Sequence, residues 1–537
     1  MNEVKILNLL QDQWLPVKDK NGNKTTIQIS DLGGEAGENL IEILAPRADF
    51  KGAIYQLLIG ILQTAFAPKD SREWKKYWHN PPSKGELEQA FKYIEPAFNL
   101  NTENGVPAFM QDFDLPEGEN KNIAALLIEA PGGKTVKDNA DHFIKRDGIK
   151  NLSPYWAAIA LFTLQINAPS GGVGHRVSLR GGGPMTTLIL PPENTQNDSL
   201  WHRLWLNVLT EEEMLIQSGN HTKEDLSAIF PWMTSTRTSE KKGMETYPDD
   251  TNPLQMYWSM PRRMRLHWHD DAGICDLSGE PSEHLLSQFH TKNYGVNYSG
   301  NWVHPLTPYA FETDKEPLTI KGQPGGLGYR HWLGLAVLDN SGKTKKMPAK
   351  IVQAYSNSRR SWIDDASFIP RLWAFAFDMD NMKARCWYET TMPIFNLEGK
   401  ALGDLQDYAQ QMILAAVDVL KTLKSALKSA WFNRPKDAKG DISYIDANFW
   451  SSTETEFYRL LAQLAELAEK DDEATIDGIL AGWRSHLKQS AHELFDQYAL
   501  NSMNEDGDFK RVIKAKHGRG GLEHYLNGSK ALKALMA

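Results

Sequence analysis

The chain changes character near residues 397–404, and this change most constrains how it can fold. Beyond this point nearly all residues favour helix, and short breaks separate four long segments. These predicted helices cover residues 402–431, 446–469, 473–500 and 508–535. In the first helix, apolar residues recur at helical spacing: Leu405, Ala409, Met412, Ala416, Val419 and Leu423. Short connections between long amphipathic helices favour an antiparallel four-helix bundle.

The preceding residues carry both strand and helix signals. An opening strand, a turn at Asn21-Gly22 and a strand over residues 25–29 predict a hairpin. Two helices are predicted next, over residues 47–66 and 85–100. The apolar side chains of the first helix share one face and are predicted core residues: Phe50, Ile54, Leu57, Leu58, Ile61, Leu62 and Phe66.

Residues 185–350 mix short strand signals with turns rich in glycine, proline and asparagine, and show few clear helices. A chain of 537 residues has material for two to four domains with substantial cores. We predict an α+β fold. A large mixed α/β domain at residues 1–396 would be followed by a C-terminal four-helix bundle at residues 397–537.

Composition limits the classes of function. With 59 Lys+Arg against 68 Asp+Glu, the formal net charge is −9, which argues against a free, non-specific nucleic-acid binder but allows local basic patches. The longest apolar stretch, residues 155–166, is too short to span a bilayer, and the chain does not start with a signal-peptide pattern. Cys275 and Cys386 provide no disulfide framework. We expect a cytoplasmic protein without a membrane partner.

A glycine-dense run occupies residues 167–184, with six glycines and two arginines in eighteen residues. Glycine allows positive φ and close approach of the backbone to a ligand, with N–H groups pointing outward. Arg176 and Arg180 are expected to add positive charge to that surface. Such a loop suits contact with a sugar-phosphate backbone or a narrow groove. A tight turn with a purely structural role is the alternative.

Two further segments have suitable side chains for nucleic-acid contacts. The stretch 129–151 predicts a basic loop containing Lys134, Lys137 and Lys145, with Phe143 as an aromatic that could stack on a base. A solvated surface loop is the alternative. After residue 508, seven basic residues stand against Glu523 alone: Lys510, Arg511, Lys514, Lys516, Arg519, Lys530 and Lys533. This imbalance indicates a surface for phosphates or an acidic partner, or a solvated helix face.

Motifs of common enzyme classes are absent from the sequence: it contains no G-x-S-x-G elbow, no H-E-x-x-H and no complete P-loop. We therefore predict a protein without catalytic activity, cofactor or metal. Ser278 stands where a Cys-x-x-Cys pair starting at Cys275 would need its second cysteine. An alternative, a metal-dependent hydrolase, is defined by four residues: His267, His269, Asp270 and His284.

Seven short motifs occur along the chain in a fixed order, and together they support a resemblance to a known family. The glycine-dense run shows Ala-Pro, then glycines, a basic residue and Leu-Arg-Gly-Gly before Pro. The other six segments are residues 7–17, 65–68, 79–82, 107–111, 302–308 and 378–385. In this order they resemble the large subunit of the type I-E CRISPR surveillance complex Cascade, the CasA or Cse1 family. The resemblance extends over residues 5–395, and the helical tail fits by length and pattern.

The resemblance implies a non-catalytic subunit that recognises the protospacer-adjacent motif (PAM) of duplex DNA through the minor groove. The glycine loop and an inserted lysine would read the groove: Gly171, Gly172, Gly174, His175, Arg176 and Lys292. A turn would wedge the duplex open beside the PAM, with two basic residues on phosphates: Asp380, Asn381, Met382, Lys383 and Arg385. The basic loop would reach the guide RNA and the PAM-side duplex: Lys134, Lys137, Phe143 and Lys145.

The implied partners follow from the same resemblance. They are the 5′ end of the guide RNA, double-stranded target DNA with a PAM, the other Cascade backbone and small subunits, and a separate helicase–nuclease. The helical bundle would lie near the small subunits and the displaced strand. A third hypothesis is a purely structural scaffold that binds partner proteins but not DNA.

Overall fold

The computed structural model describes residues 5–131, 137–138, 148–215, 225–269, 271–323, 325–363, 365, 367–380, 383–437, 439–468, 470, 472–501 and 509–535. The chain divides into two compact units. The first consists of Met1–Gly322 and Ala349–Tyr388, and the second of Gln323–Pro348 and Glu389–Ala537.

The first unit mixes helices and short strands. Its α-helices are Gly34–Glu38, Ala48–Ala65, Ser71–His79, Lys84–Phe91, Pro154–Asn167, Leu200–Trp205, Glu211–Leu215, Leu226–Ile229, Lys350–Ala354 and Arg360–Ile363. Its strands are Leu15–Asp19, Lys24–Ile27, Leu40–Ile43, Glu119–Asn122, Thr186–Leu190, Glu245–Thr246, Arg263–His269, Gly273–Ile274, Pro281–Ser282, Leu285–Lys292, Asn297–Tyr298, Tyr309–Phe311, Leu318–Thr319 and Arg371–Asp380, with Lys383–Pro393 crossing into the second unit.

The predicted opening hairpin is present. Strand Leu15–Asp19 pairs antiparallel with Lys24–Ile27 on one side and with Leu40–Ile43 on the other. Gly22 has φ +85°, and the Asp19 carboxylate accepts hydrogen bonds from two backbone N–H groups of the turn. The second strand is shorter than predicted because a 3₁₀-helix begins at Ile29.

Helix Ala48–Ala65 lies at the centre of the first unit rather than at its surface. The predicted core residues from Phe50 to Leu62 are buried, and so are most residues on the other faces. Two glycines allow large rings to approach the helix. A Cβ at Gly52 would lie 2.9 Å from the ring of Phe375, and one at Gly60 would lie 3.0 Å from that of Trp258.

The helix predicted over residues 85–100 is wrong in its second half. An α-helix covers Lys84–Phe91, begun by a capping box between Ser83 and Glu86. A separate 3₁₀-helix follows at Glu95–Phe98. Pro96 explains the break, because proline has no N–H to donate and its ring collides with the preceding helical turn.

Two three-stranded sheets of the first unit carry residues of predicted functional importance. Leu285–Lys292 lies between Glu119–Asn122 and Arg263–His269, antiparallel to both. Arg371–Asp380 is the middle strand of the second sheet, with Thr186–Leu190 and Lys383–Pro393 as its neighbours. Both middle strands end near predicted contact residues, the first at Lys292 and the second at Asp380.

The second unit contains the predicted bundle, which confirms the α+β fold with a helical C-terminal region. Its long helices are Gly399–Trp431, Ser443–Leu467, Glu473–Phe495 and Phe509–Gly528, accompanied by the short helices Trp332–Leu335 and Lys530–Ala534 and the strand Lys345–Met347. All six predicted stripe residues of the first long helix are buried. The indole of Trp483 donates to the carbonyl of Met412 over 3.0 Å, which ties two helices together. Within the described residues, no helix combines the length and apolar character that crossing a bilayer requires.

We expect Gly482→Ala to stabilise the bundle. Gly482 lies within the helix Glu473–Phe495, and a Cβ there would meet no heavy atom within 4 Å. Alanine should therefore add about 0.5–1 kcal/mol to the free energy of unfolding by reducing the entropy of the unfolded chain. Gly52→Ala is the control, and it should destabilise because its Cβ would collide with Phe375. Urea titrations followed by circular dichroism measure both, and equal effects would contradict the packing described.

Stability should also depend on pH through His202. This residue is buried, and its ring nitrogens lie 2.7 Å from the Ser199 hydroxyl and 3.1 Å from the Trp78 carbonyl oxygen. Burial lowers its pKa to about 4, so between pH 6.5 and 4 the unfolded chain binds a proton that the folded chain does not.

The resulting contribution to stability is complete above pH 6.5 and is lost as the pH falls, with a slope of up to about 1.4 kcal/mol per pH unit. His202→Gln should remove the proton that causes this slope. The free energy of unfolding, measured at several values between pH 5 and 7, should therefore change less steeply with pH in the variant. An unchanged slope would contradict the assignment.

Candidate nucleic-acid interface

The glycine-dense run forms a loop whose base is closed by backbone hydrogen bonds. The N–H of Ser178 donates to the carbonyl of Ala168 over 2.9 Å, and that of Gly183 to Asn167 over 3.1 Å. Both acceptors lie at the end of the buried helix Pro154–Asn167. The loop therefore leaves and rejoins the core at one place.

The loop tip, defined here as residues 171–175, needs glycine at two positions. Gly172 has φ +57° and Gly174 has φ +76°, both in the left-handed region. A backbone bridge joins Gly171 to His175, and the two residues at the apex, Gly172 and Val173, are exposed. At Gly174 a side chain would also collide, since its Cβ would lie 2.9 Å from that of Asn293.

The loop tip is in contact with the segment that contains Lys292. The N–H of Tyr294 donates to the carbonyl of Gly174 over 2.8 Å. Because the strand Leu285–Lys292 ends two residues before Tyr294, the partly exposed Lys292 lies beside the tip. The glycine loop and the Lys292 segment, which are remote in sequence, are thus neighbours in space.

Arg180 corrects one expectation from the sequence. It was expected to add charge to the surface of the loop, but it is only 4% exposed. Its guanidinium donates to Gln56, Thr186 and Thr307 at 2.7–3.0 Å. Burial lowers the pKa of Arg180 to about 10, so the group stays charged at neutral pH. Its role is to hold the base of the loop.

Arg176 is partly exposed, and its guanidinium is fixed by the protein. Nε donates to the Ser239 hydroxyl over 2.7 Å, and Nη2 to the Ser239 carbonyl over 2.9 Å. The guanidinium carbon lies 5.9 Å from the centre of the Tyr294 ring, in the range of a cation–π contact. Arg176 therefore places a charge beside the loop tip and also ties the loop to Tyr294.

A second arginine lies under the tip and was missed by sequence reasoning. Arg262 donates through Nη2 to the Pro169 carbonyl over 2.5 Å, and the same nitrogen would lie 3.6 Å from a Cβ at Gly171. Burial lowers the pKa of Arg262 to about 10. The pKa of His175 is lowered by burial and then by the charge of Arg262. The tip thus combines a neutral imidazole with a recessed cation.

Two other residues of the site were also not predicted. Val173 is 75% exposed between two positive-φ glycines, which makes the apex of the loop apolar. Tyr294 itself has φ +63°, a conformation rarely adopted by a residue with a bulky side chain. No local pattern marks either residue. The only sequence signal for Tyr294 is its position directly before a glycine and just after Lys292.

The predicted wedge falls between two neighbouring strands of one sheet. Asn381 and Met382 lie outside the described residues, between Arg371–Asp380 and Lys383–Pro393. Asp380 and Lys383, which flank them, are exposed.

Arg385 is paired with the protein's own carboxylates. Its nitrogens lie 2.8 Å from a carboxylate oxygen of Asp378 and 3.5 Å from one of Asp380. Its pKa is raised, mainly because the Asp378 carboxylate accepts its hydrogen bond. These carboxylates cancel part of the charge that Arg385 would offer to a phosphate.

The hairpin packs against the end of the glycine loop. Gly183, with φ +57°, has no room for a side chain, because its Cβ would lie 2.6 Å from Met379 Cγ. It would also lie 3.1 Å from the Phe377 carbonyl oxygen. One loop therefore contacts both the Lys292 segment and the strand that leads to the wedge.

The predicted basic loop is described only in part. Lys134, Phe143 and Lys145 lie outside the described residues, while Lys137 is exposed. At its start, Glu129 accepts two hydrogen bonds from Arg47 at 2.6 and 2.8 Å. At its end, the Asp276 carboxylate accepts from the backbone N–H groups of residues 150 and 151 at 2.7 and 2.8 Å. Both ends of the loop are thus anchored.

The basic C-terminal helix uses part of its charge internally. Arg519 pairs with Asp496 at 2.6 Å, and Lys514 donates to the Phe432 carbonyl over 2.5 Å. The side chains of Lys510 and Arg511 lie outside the described residues. Lys516, Lys530 and Lys533 are exposed.

No metal centre is formed by the residues that the structure describes, since none of their histidine, cysteine, aspartate and glutamate side chains form a group of three that could hold an ion. Asp270 and the side chain of His269 lie outside that part of the chain. The rings of His267 and His290 lie 5.2 Å apart on neighbouring strands. Cys275 is buried and accepts a hydrogen bond from the Ser278 side chain, the residue that replaces the second cysteine.

Comparisons with known proteins concern the whole chain and its fold. The family model described as CRISPR-associated protein Cse1 matches residues 8–494. The structure is similar to Cse1 of Thermobifida fusca, with a TM-score of 0.71, 15% identity and 99% of each chain covered. It is also similar to CasA of Thermus thermophilus, with a TM-score of 0.67, 17% identity, and 98% of this chain and 100% of that chain covered. Cse1 of Acidimicrobium ferrooxidans matches with a TM-score of 0.66 at 15% identity over the whole of both chains.

Gly174→Ala should release the loop tip from Tyr294. Forcing a Cβ into a backbone with φ +76° costs about 1–2 kcal/mol, and the collision with Asn293 adds to this cost. We expect lower stability and faster hydrogen exchange at the Tyr294 amide. Gly171→Ala is the matched control, because Gly171 has no positive φ and its nearest neighbour would be 3.6 Å away. Unchanged exchange in the Gly174 variant would contradict the contact.

Proposed function

Because the chain belongs to the Cse1 family, the large subunits of the type I-E CRISPR complex Cascade, we propose that it recognises the PAM of duplex DNA through the minor groove. The observation that carries this proposal is the hydrogen bond from Tyr294 to Gly174, which holds the glycine tip and Lys292 side by side. In this proposal the tip presents its backbone and the exposed Val173 to the groove, and Lys292 presents its amine.

The chemistry of the tip fits a minor groove. That groove presents acceptor atoms in every base pair, and A·T and T·A pairs look alike, so a lysine donor reads it with relaxed specificity. Glycines without side chains let the backbone reach the groove floor. The groove has a negative potential because it lies between two phosphate backbones. This potential would attract the guanidinium of Arg262 beneath the tip and that of Arg176 beside it.

We further propose that the segment at residues 380–383 separates the first base pairs beside the PAM. Unstacking a base step costs a few kcal/mol. Contacts of the protein with the DNA backbone and base pairing of the target strand with the guide RNA offset this cost. Support comes from the packing of Gly183 against Met379, which links the wedge strand to the loop that reads the groove. Lys383 is exposed for a phosphate contact, whereas the charge of Arg385 is partly cancelled by Asp378.

The remaining roles are proposed from the family. The anchored loop over residues 129–151 would dock on the 5′ end of the guide RNA, and the bundle would support the opened DNA near the small subunits. The chain would carry out no catalysis itself, and the assembled complex would recruit a separate helicase–nuclease. Sequence specificity would then reside mainly in guide pairing, with the protein reading only a short motif. The metal-dependent hydrolase is not favoured by any group of described residues.

The proposal predicts that Lys292→Ala weakens binding of PAM-containing duplex by the reconstituted guide-RNA complex about tenfold or more. Asn381→Ala should act in the same direction by impairing strand separation. Both should leave binding of a single-stranded target unchanged, because that target needs neither PAM reading nor opening. Affinities are compared at fixed salt, since phosphate contacts make them depend on ionic strength.

Lys24→Ala is the control, because Lys24 is exposed on the opening hairpin, away from the glycine loop in sequence. It should bind duplex as the wild type does. Equal duplex binding by all variants would contradict the residue assignments. If a complex lacking this subunit bound PAM duplex equally well, the proposed function itself would be wrong.

A further inference from the structure

A short loop in the first unit has no part in the proposed function so far. It is attached at both ends to the segment that follows Lys292. At one end, the hydroxyl of Ser239 donates to the carbonyl of Gly295 over 2.7 Å. At the other end, Glu245 pairs in parallel with Asn297. These two partners are only two positions apart, whereas Ser239 and Glu245 are six apart. Residues 240–244, the lysine loop, must therefore bulge away from the segment.

The lysine loop projects into solvent and carries two adjacent cations. Lys241 and Lys242 are exposed, and in the part of the chain that the structure describes neither pairs with a carboxylate. Glu240, also exposed, is the one acidic residue of the loop. Gly243 has φ +81°, and a Cβ there would meet no heavy atom within 4 Å. The loop thus offers two solvated ammonium groups against one carboxylate.

Arg176 adds a third cation and joins the lysine loop to the glycine loop. Its Nε donates to the hydroxyl of Ser239 over 2.7 Å, and its Nη2 donates to the carbonyl of the same residue over 2.9 Å. Both acceptors are uncharged, so they do not cancel the charge of the guanidinium. Arg176, Lys241 and Lys242 therefore gather positive charge around Ser239.

Tyr294 lies between the lysine loop and the glycine tip. Its N–H donates to the carbonyl of Gly174 over 2.8 Å, and its carbonyl accepts from the N–H of Ser239 over 3.1 Å. Backbones joined by such hydrogen bonds lie about 4.8 Å apart, so Ser239 is at most roughly 10 Å from Gly174. A minor groove is about 6 Å wide and about 7.5 Å deep, so its phosphates lie roughly 10 Å from a group at its floor. The two separations match.

We propose that the lysine loop is a phosphate-binding site, in which Lys241 and Lys242 contact the backbone of a DNA strand that borders the groove entered by the tip. This inference rests on the proposed function, because the tip must enter the groove for the loop to reach the phosphates. Phosphate contacts position a protein on a duplex and carry no sequence information. The loop therefore adds affinity without reading the PAM, which is left to Lys292 and the tip.

Salt dependence in the reconstituted guide-RNA complex tests the proposal. Lys241→Gln with Lys242→Gln should weaken binding of PAM duplex about tenfold at about 50 mM salt, and less at higher salt. The slope of log affinity against log salt concentration should become less negative by about 1–2, because each lost phosphate contact contributes about 0.9. The ratio of affinities for duplexes with an intact and a mutated PAM should stay unchanged, whereas Lys292→Ala should reduce it.

Lys20→Gln with Lys24→Gln is the matched control, because both lysines are exposed in the same unit and belong to the opening hairpin. This variant should keep the wild-type slope. Equal slopes in the two double variants would overturn the proposal. Weaker binding of the lysine-loop variant to a complex lacking this chain, with an unchanged slope, would overturn it in favour of an acidic segment of a protein partner.

Duplexes in which a methylphosphonate replaces one phosphate locate the contact. The neutral group at the contacted position should weaken binding by the wild type but not by the lysine-loop variant, which has already lost that contact. A folding defect would weaken binding of every duplex alike and cannot produce this pattern. Equal weakening of wild type and variant at every position beside the PAM would overturn the proposal.

Failure of this proposal is distinguishable from failure of the proposed function. If a complex lacking this subunit binds PAM duplex as well as the complete complex does, the proposed function is wrong. If the subunit is required and the wild type and the lysine-loop variant respond alike to salt and to methylphosphonates, only the phosphate site is wrong.

Discussion

The glycine loop depends on one buried cation. Arg180 lies inside the first unit and donates to Gln56 on the central helix, Thr186 at the start of a strand, and Thr307 in a distant loop. Its own carbonyl accepts a hydrogen bond from the Thr319 hydroxyl. All these partners are neutral, so none of them compensates the desolvation of the guanidinium with an opposite charge. Desolvation therefore lowers the pKa of Arg180, but the group stays charged at neutral pH. Removing it would leave several buried acceptors unpaired, a more severe defect than the loss of one surface charge. The base of the loop is therefore fixed by the core, whereas its tip is shaped by contacts outside the core.

A fixed base explains how strained backbone can persist at the tip. Gly172, Gly174 and Gly183 adopt positive φ at little cost, but Tyr294 does so with a full side chain, which costs roughly 1–3 kcal/mol. The hydrogen bond to Gly174 and the cation–π contact with Arg176 hold Tyr294 in that state. The loop, the Lys292 segment and the hairpin strand consequently depend on one another for their positions. Contacts that are already formed in the free protein reduce the entropy lost on binding, so a ligand of this tip would need fewer strong contacts.

The elements that could be predicted from the sequence are those whose apolar residues recur with a regular local period. The bundle and the helix Ala48–Ala65 have apolar residues at helical spacing, and both formed where that spacing begins and ends. The helix predicted over residues 85–100 does not continue through Pro96, which has no N–H to donate and follows the end of the α-helix at Phe91. The prediction that Arg180 lies on the surface was wrong for a different reason. An arginine among glycines has the local pattern of a surface residue, whereas its burial depends on Gln56 and Thr307, which are distant in sequence. The approach of Lys292 to Gly174 has no local signal at all, because it depends on the pairing of strands that are remote in sequence. The expectation that Lys292 belongs with the glycine loop came from resemblance to a family, not from spacing.

Net charge is a poor guide to what this chain binds, because internal pairing decides which charges reach a partner. Arg385, Arg519 and Lys424 each pair with carboxylates of the chain itself, which cancels part of the charge that they offer to other anions. Beneath the loop tip the balance is different. Arg262 donates to the uncharged Pro169 carbonyl, and its Nη2 would lie 3.6 Å from a Cβ at Gly171. That carbonyl does not cancel the charge of the guanidinium. The charge of a side chain therefore acts on a ligand only where its partners within the chain leave that charge uncancelled.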